Sequence, residues 1–145
     1  MVLWRYKNTD FSGNPDTTFG CSSGSGCTGY VTNNAGNIVQ ASGSGVSIDA
    51  NQNIVVAGNV GAATGITGGT IAAVWRFTPT GALDTAFGAG GTGYFTQTAT
   101  GGSGYDDACA EMVWNSSGIF LGGRSGAVVS GVTASEVAVV WKVRP

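Results

Sequence analysis

Two carboxyl groups suffice to cleave a glycosidic bond, and a histidine beside a nucleophile suffices for acyl transfer. This chain of 145 residues has eight carboxylates, three cysteines and no histidine. The missing histidine removes Ser-His-Asp and Cys-His catalysis and the common zinc and haem sites together. The carboxylates are Asp10, Asp16, Asp49, Asp84, Asp106, Asp107, Glu111 and Glu136. Asp16 and Asp84 stand in matching local sequences, which marks them as structural. Asp106-Asp107 follow a Gly-rich stretch and read as a solvated turn, a binding surface being the alternative. Glu111 lies in an apolar run and reads as facing solvent.

Asp49-Ala50-Asn51-Gln52-Asn53 has the alternating oxygens of a calcium loop but neither its central Gly nor its distal Glu, so it reads as a hairpin turn. The Gly-rich stretches 61–69 and 101–104 lack the Lys of a phosphate loop and read as connections. Cys109 has no imidazole to activate it and no CxxC partner, and reads as a small buried hydrophobe. Cys21 and Cys27 bracket a Ser/Gly stretch whose ends can meet. They are a candidate disulfide, with free thiols as the alternative, because the redox compartment is not known. The chain offers no cofactor site.

The elements around these residues follow from composition. There are 26 Gly, only 10% charged residues and 42% hydrophobic ones. The apolar residues fall in short runs between Gly-, Ser- and Thr-rich stretches, which is the pattern of short strands joined by turns. No segment holds a 3.6-residue apolar period with caps, so almost no helix is expected. A net charge of −2 with no Lys/Arg cluster gives no footprint for nucleic acid. No run approaches the roughly 18 apolar residues of a membrane-spanning helix. Met1 to Tyr6 is strand-like and has no signal-peptide character, while the composition suits an exported protein; the compartment stays open.

Three anchors recur. The first is a tryptophan strand: Ile71 to Phe77 matches Val137 to Val143, and Val2-Leu3-Trp4-Arg5-Tyr6 is a shortened copy. Trp4, Trp75 and Trp141 are each followed by a basic residue, and their recurrence at one strand position favours packing over sugar stacking. The second is a turn, Gly13 to Gly20 matching Gly81 to Gly88. In it Asp16 and Asp84 accept backbone N–H bonds, Phe19 and Phe87 plug the core, and a Gly closes. Both copies run on to Gly-Tyr. The third is a hairpin, in which Ser47-Ile48-Asp49 and Asn53 to Gly58 align with Met112-Val113-Trp114 and Gly118 to Gly123. Spacings run from 64 (Tyr30 to Tyr94) to 71 residues (Trp4 to Trp75).

The expectation is an all-β chain forming one repeat domain over 1–145, with repeat one at about 2–77 and repeat two at about 73–143. Each unit holds four short strands: one after Gly-Tyr, two in the hairpin, and the Trp strand. Two four-stranded antiparallel propeller-like blades per chain is the favoured architecture, over a β-solenoid or a β-sandwich.

The run from Trp75 to Gly91 resembles the delta-60 repeat family of bacterial β-propeller-like repeats. Arg76, Phe77, Gly81, Leu83, Asp84, Phe87, Gly88 and Gly91 carry the resemblance, and Asn53 to Gly58 resembles that family's Val-Ala-Gly hairpin. Copy one departs with Pro15 in place of Leu and an insertion at Lys7 to Phe11; copy two has Gly122 in place of Ala. The resemblance implies architecture and no activity.

Two blades leave open faces and edges, so self-association into a ring is expected, three chains in a six-bladed ring being favoured over four in an eight-bladed one. One Trp strand is then surplus. The expected function is a non-catalytic propeller module that self-associates and binds a protein partner or carbohydrate. A purely structural surface-assembly protein is the alternative, followed by a carboxylate-based glycan-active enzyme.

Overall fold

In a computed structural model the described residues are 1–8, 13–22, 26–36, 40–61, 69–97, 107–129 and 132–144. They hold eleven strands and no helix. The first four strands are short: β1 (Val2–Trp4), β2 (Cys21–Ser22), β3 (Gly26–Cys27) and β4 (Tyr30–Thr32). Next come β5 (Ala41–Ile48), β6 (Ile54–Gly61), β7 (Thr70–Phe77) and β8 (Tyr94–Gln97). The last three are β9 (Asp107–Asn115), β10 (Gly118–Val129) and β11 (Val132–Val143). All pairings are antiparallel: a central sheet β5-β6-β7-β8, a C-terminal sheet β9-β10-β11, an N-terminal pair β1-β4, and the ribbon β2-β3. None closes into a barrel.

The two inner strands of the central sheet, β6 and β7, are covered on both faces, and their sequence says why. Ile54-Val55-Val56-Ala57 and Ala72-Ala73-Val74-Trp75 are unbroken apolar runs, as a strand buried on two sides requires. One face (Ile54, Val56, Val60, Ala73, Trp75, Phe77) packs against Leu3 and Val31 of the N-terminal pair and Phe19 before it. The other face (Val55, Ala57, Ala72, Val74) packs against Cys109, Ile119, Leu121 and Val143 of the C-terminal sheet. The result is a stack of three layers.

The central and C-terminal sheets match position for position over three strands. Trp75 lies opposite Val56 and Trp141 opposite Leu121; Phe77 lies opposite Ile54 and Val143 opposite Ile119. Each first strand carries a bulge at the same place, Ser44 beside Gly58 and Ala110 beside Gly123. A Cβ on Gly58 would lie 1.9 Å from the Ser42 carbonyl oxygen, and one on Gly123 would lie 2.0 Å from that of Ala108. Only glycine fits either site.

Two expectations need correction. The strand after Gly-Tyr does not join the hairpin that follows it in sequence. β8 pairs with β7 and β4 pairs with β1, so each closes the sheet of the preceding Trp strand. The described residues therefore form sheets of four, three and two strands instead of two sheets of four. The reason is the turn between the strands, which reverses the chain tightly enough to return it along the strand it has just left.

The hairpin alignment also shifts by one. Ile48 lies opposite Ile54 and Trp114 opposite Ile119, so Ser47-Ile48-Asp49 corresponds to Val113-Trp114-Asn115. Asp49 and Asn115 do the same job, each side chain accepting the backbone N–H two residues on. The first turn is one residue longer, which hid the correspondence.

Candidate functional site

The turn after each of the first two Trp strands, those of Trp4 and Trp75, is a clasp built from one ion pair. Arg76 Nε donates to Asp84 Oδ2 at 2.7 Å, and Arg5 Nε donates to Asp16 Oδ2 at 2.9 Å. The second carboxylate oxygen accepts the N–H of Ala86 at 3.0 Å, or of Thr18 at 2.9 Å. Each guanidinium lies over the motif's phenylalanine, 4.8 Å from the Phe87 ring centre and 4.7 Å from that of Phe19. The Thr18 N–H and hydroxyl, with the charge of Arg5, hold the Asp16 carboxyl below the usual carboxylate range. Gly88 closes the clasp at a φ of +84°, where a Cβ would lie 2.1 Å from the Tyr94 carbonyl oxygen. Pro15, a departure in sequence, bridges Tyr6 as Leu83 bridges Phe77.

These carboxylates are occupied by architecture, and among the described residues the others do not converge. Asp49 accepts the backbone N–H groups of Asn51 and Asn53, each at 2.8 Å, inside its turn. Glu111 is exposed on β9. Asp10 and Asp106 lie outside the described residues, as do most of 61–69 and all of 101–104; of the Glu136 side chain nothing is described. Among the described residues no three of His, Cys, Asp and Glu come together to hold a metal.

Asp107 corrects its reading as a solvated turn. It begins β9, is fully buried, and lies opposite the buried Ser125 on β10. Among the described residues, both carboxylate oxygens and the Ser125 hydroxyl have no hydrogen-bond partner. In the central sheet the same pair of positions is Ala41 opposite Val60, both packed on apolar neighbours. Comparing the two copies by register finds this polar substitution; reading the Gly-rich approach to the strand does not.

Cys21 and Cys27 lie opposite one another on the ribbon and are joined in a disulfide. Cys109 is buried in the interface between two sheets, where burial pushes its thiol up.

The outer faces of the stack hold exposed apolar surfaces, which the sequence did not single out. Trp75 is fully buried, yet Trp4, at the matching position of β1, is 47% exposed. Trp4 stacks near Tyr6 and Tyr30, with ring centres 6.2 and 4.6 Å away. Val74 is fully buried, yet Val140 at its position in β11 is 75% exposed. Beside Val140, Lys142 lines an open cleft of about 470 Å³ with Trp114, Ser116 and Arg144. Buried in the middle layer and bare at both ends, these positions form two unsatisfied apolar faces.

No protein-family model matches the chain, and no curated protein is similar to it. The resemblance to delta-60 repeats rests on the residues named above.

Proposed function

We propose that this chain is a non-catalytic module of a β-propeller, made of repeated blades, that self-associates through its open faces and presents its loops to a protein or carbohydrate partner. The observation that carries this reading is the contrast between Val74 and Val140, and between Trp75 and Trp4. One strand position is fully buried when a sheet has neighbours on both sides and open to water when it has one. An exposed apolar sheet face of this kind marks an interaction surface. The delta-60 resemblance supports blades as the repeating unit. The carboxylates taken up in clasps and turns support a role without catalysis.

The test is absolute mass by light scattering after size exclusion. A single species at three times the 14.4 kDa of the chain is the expected result. A folded monomer at all concentrations rejects self-association.

A second reading has one observation in its favour. Trp4, Tyr6 and Tyr30 form an exposed aromatic cluster, the surface on which a sugar ring stacks. Binding to a glycan array that disappears in Trp4→Ala supports carbohydrate recognition; an array without hits rejects it.

A further inference from the structure

We infer that a second copy of this chain completes the fold by strand exchange, its β11 taking the place of β1 beside β4. This rests on the self-association proposed above and names the surfaces that carry it.

β1 with the two residues after it, and the end of β11, are versions of one sequence: Val2-Leu3-Trp4-Arg5-Tyr6 and Val139-Val140-Trp141-Lys142-Val143. β4 holds β1 by three residue pairs. Among the described residues β11 has β10 on one side and no strand on the other. The central sheet defines what that edge accepts. There β8 lies along β7, with Tyr94 opposite Trp75 and Phe95 opposite Val74. β4 is the same kind of strand, with Tyr30 opposite Trp4 and Val31 opposite Leu3. Exchange therefore sets Trp141 of one copy opposite Tyr30 of the other, and Val140 opposite Val31.

The exposed side chains favour exchange over simple stacking of outer faces. On β5, Val46 is 62% exposed and Ile48 50%, on the face where β1 lies; β1 alone does not cover them. β9 and β10 arriving with β11 do, and their own bare residues, Val113 (61% exposed) and Val140, become the covering surface. Stacking outside β1 leaves Val46 and Ile48 in water.

The contact has a precedent within the chain, where the C-terminal sheet covers the central one through Met112 against Gly45 and through Val74 with Leu121. Charge agrees as well: Lys142 arrives where Arg5 pairs with Asp16 and lies over Phe19. With β4, the central four and the C-terminal three, each copy then supplies two complete sheets of four, and β1 is the surplus strand.

Three variants of the full chain test this. Val31→Cys and Val140→Cys chains, mixed and oxidised, are expected to give a disulfide between copies, because directly opposite strand residues lie within disulfide reach. Leu3→Cys/Val31→Cys, oxidised within one chain, locks β1 onto β4. It is expected to lose assembly at concentrations where the parent assembles. A parent that assembles without a 31–140 link, or a locked variant that assembles equally well, overturns strand exchange and leaves self-association standing. A parent that is monomeric throughout overturns both.

Discussion

Replacing Asp107 by Ala and Ser125 by Val together should make the protein more stable, although two buried polar residues are removed. Both side chains are buried, and among the described residues none of their three oxygens has a partner. An unmet buried hydroxyl costs roughly 1–3 kcal/mol, and a buried carboxylate without partners several. The replacement pair already exists one sheet away as Ala41 opposite Val60, so backbone and bulge accept it without rearrangement. Shortening Asp to Ala leaves unfilled volume worth about 1 kcal/mol in the other direction. The net gain is about 2–4 kcal/mol, which at roughly 2–4 °C per kcal/mol for a chain of this size raises Tm by about 5–15 °C. Thermal unfolding followed by circular dichroism, with urea titration of the same samples, reads it directly. A double variant that melts below the parent refutes the reasoning and assigns Asp107 a bonding role.

Other outcomes follow from the clasps and cysteines. Gly88→Ala forces a Cβ against the Tyr94 carbonyl at a left-handed φ and should cost about 3 kcal/mol or more in urea unfolding, while Gly90→Ala, also at a left-handed φ but with open space around it, should cost only about 1–2 kcal/mol. Because the Asp16 carboxyl is held below its ordinary value in the folded state, its contribution is present above the unfolded carboxylate value and is lost as pH falls through the lower folded one. Asp16→Asn should therefore flatten part of the acid limb of stability against pH and leave the neutral-to-alkaline side parallel to the parent. Cys109, buried and with its thiol pushed up, should react with a thiol reagent only on unfolding, one equivalent per chain under non-reducing conditions.

Much of the local structure was legible because it depends on residues near in sequence. The Trp strands, the Asp-to-Gly turn and the hairpin each declare themselves through alternation, a required glycine or a short polar turn. Strand partnership was not legible. β8 looks like the start of the unit that follows because it lies nearer to β9 in sequence than to β5, and nothing in Tyr94–Gln97 states which edge it joins. Its destination is set by the Arg76–Asp84 clasp, whose effect on chain direction appears only in three dimensions. The bulges at Ser44 and Ala110 were equally hidden. Each shifts side-chain facing by one residue, and neither Ser nor Ala signals it. Asp107 was misread for the opposite reason: Gly-Ser-Gly-Tyr-Asp-Asp is a good turn sequence, and nothing in it shows that Asp107 begins a strand and lies buried opposite Ser125.

Lending its last strand backwards gives the stack a mechanical character. β4 lies along β1 and β8 along β7, yet each is also the lead-in to the next layer. The chain is thus stitched through successive sheets instead of strung between them. A hinge needs a connection that bends while both sides stay intact, and here bending would strip a paired strand from an edge. Layers joined in this way resist splaying and transmit a pull at one end as shear along β7 and β8, the direction in which a row of backbone hydrogen bonds is strongest because all must break together.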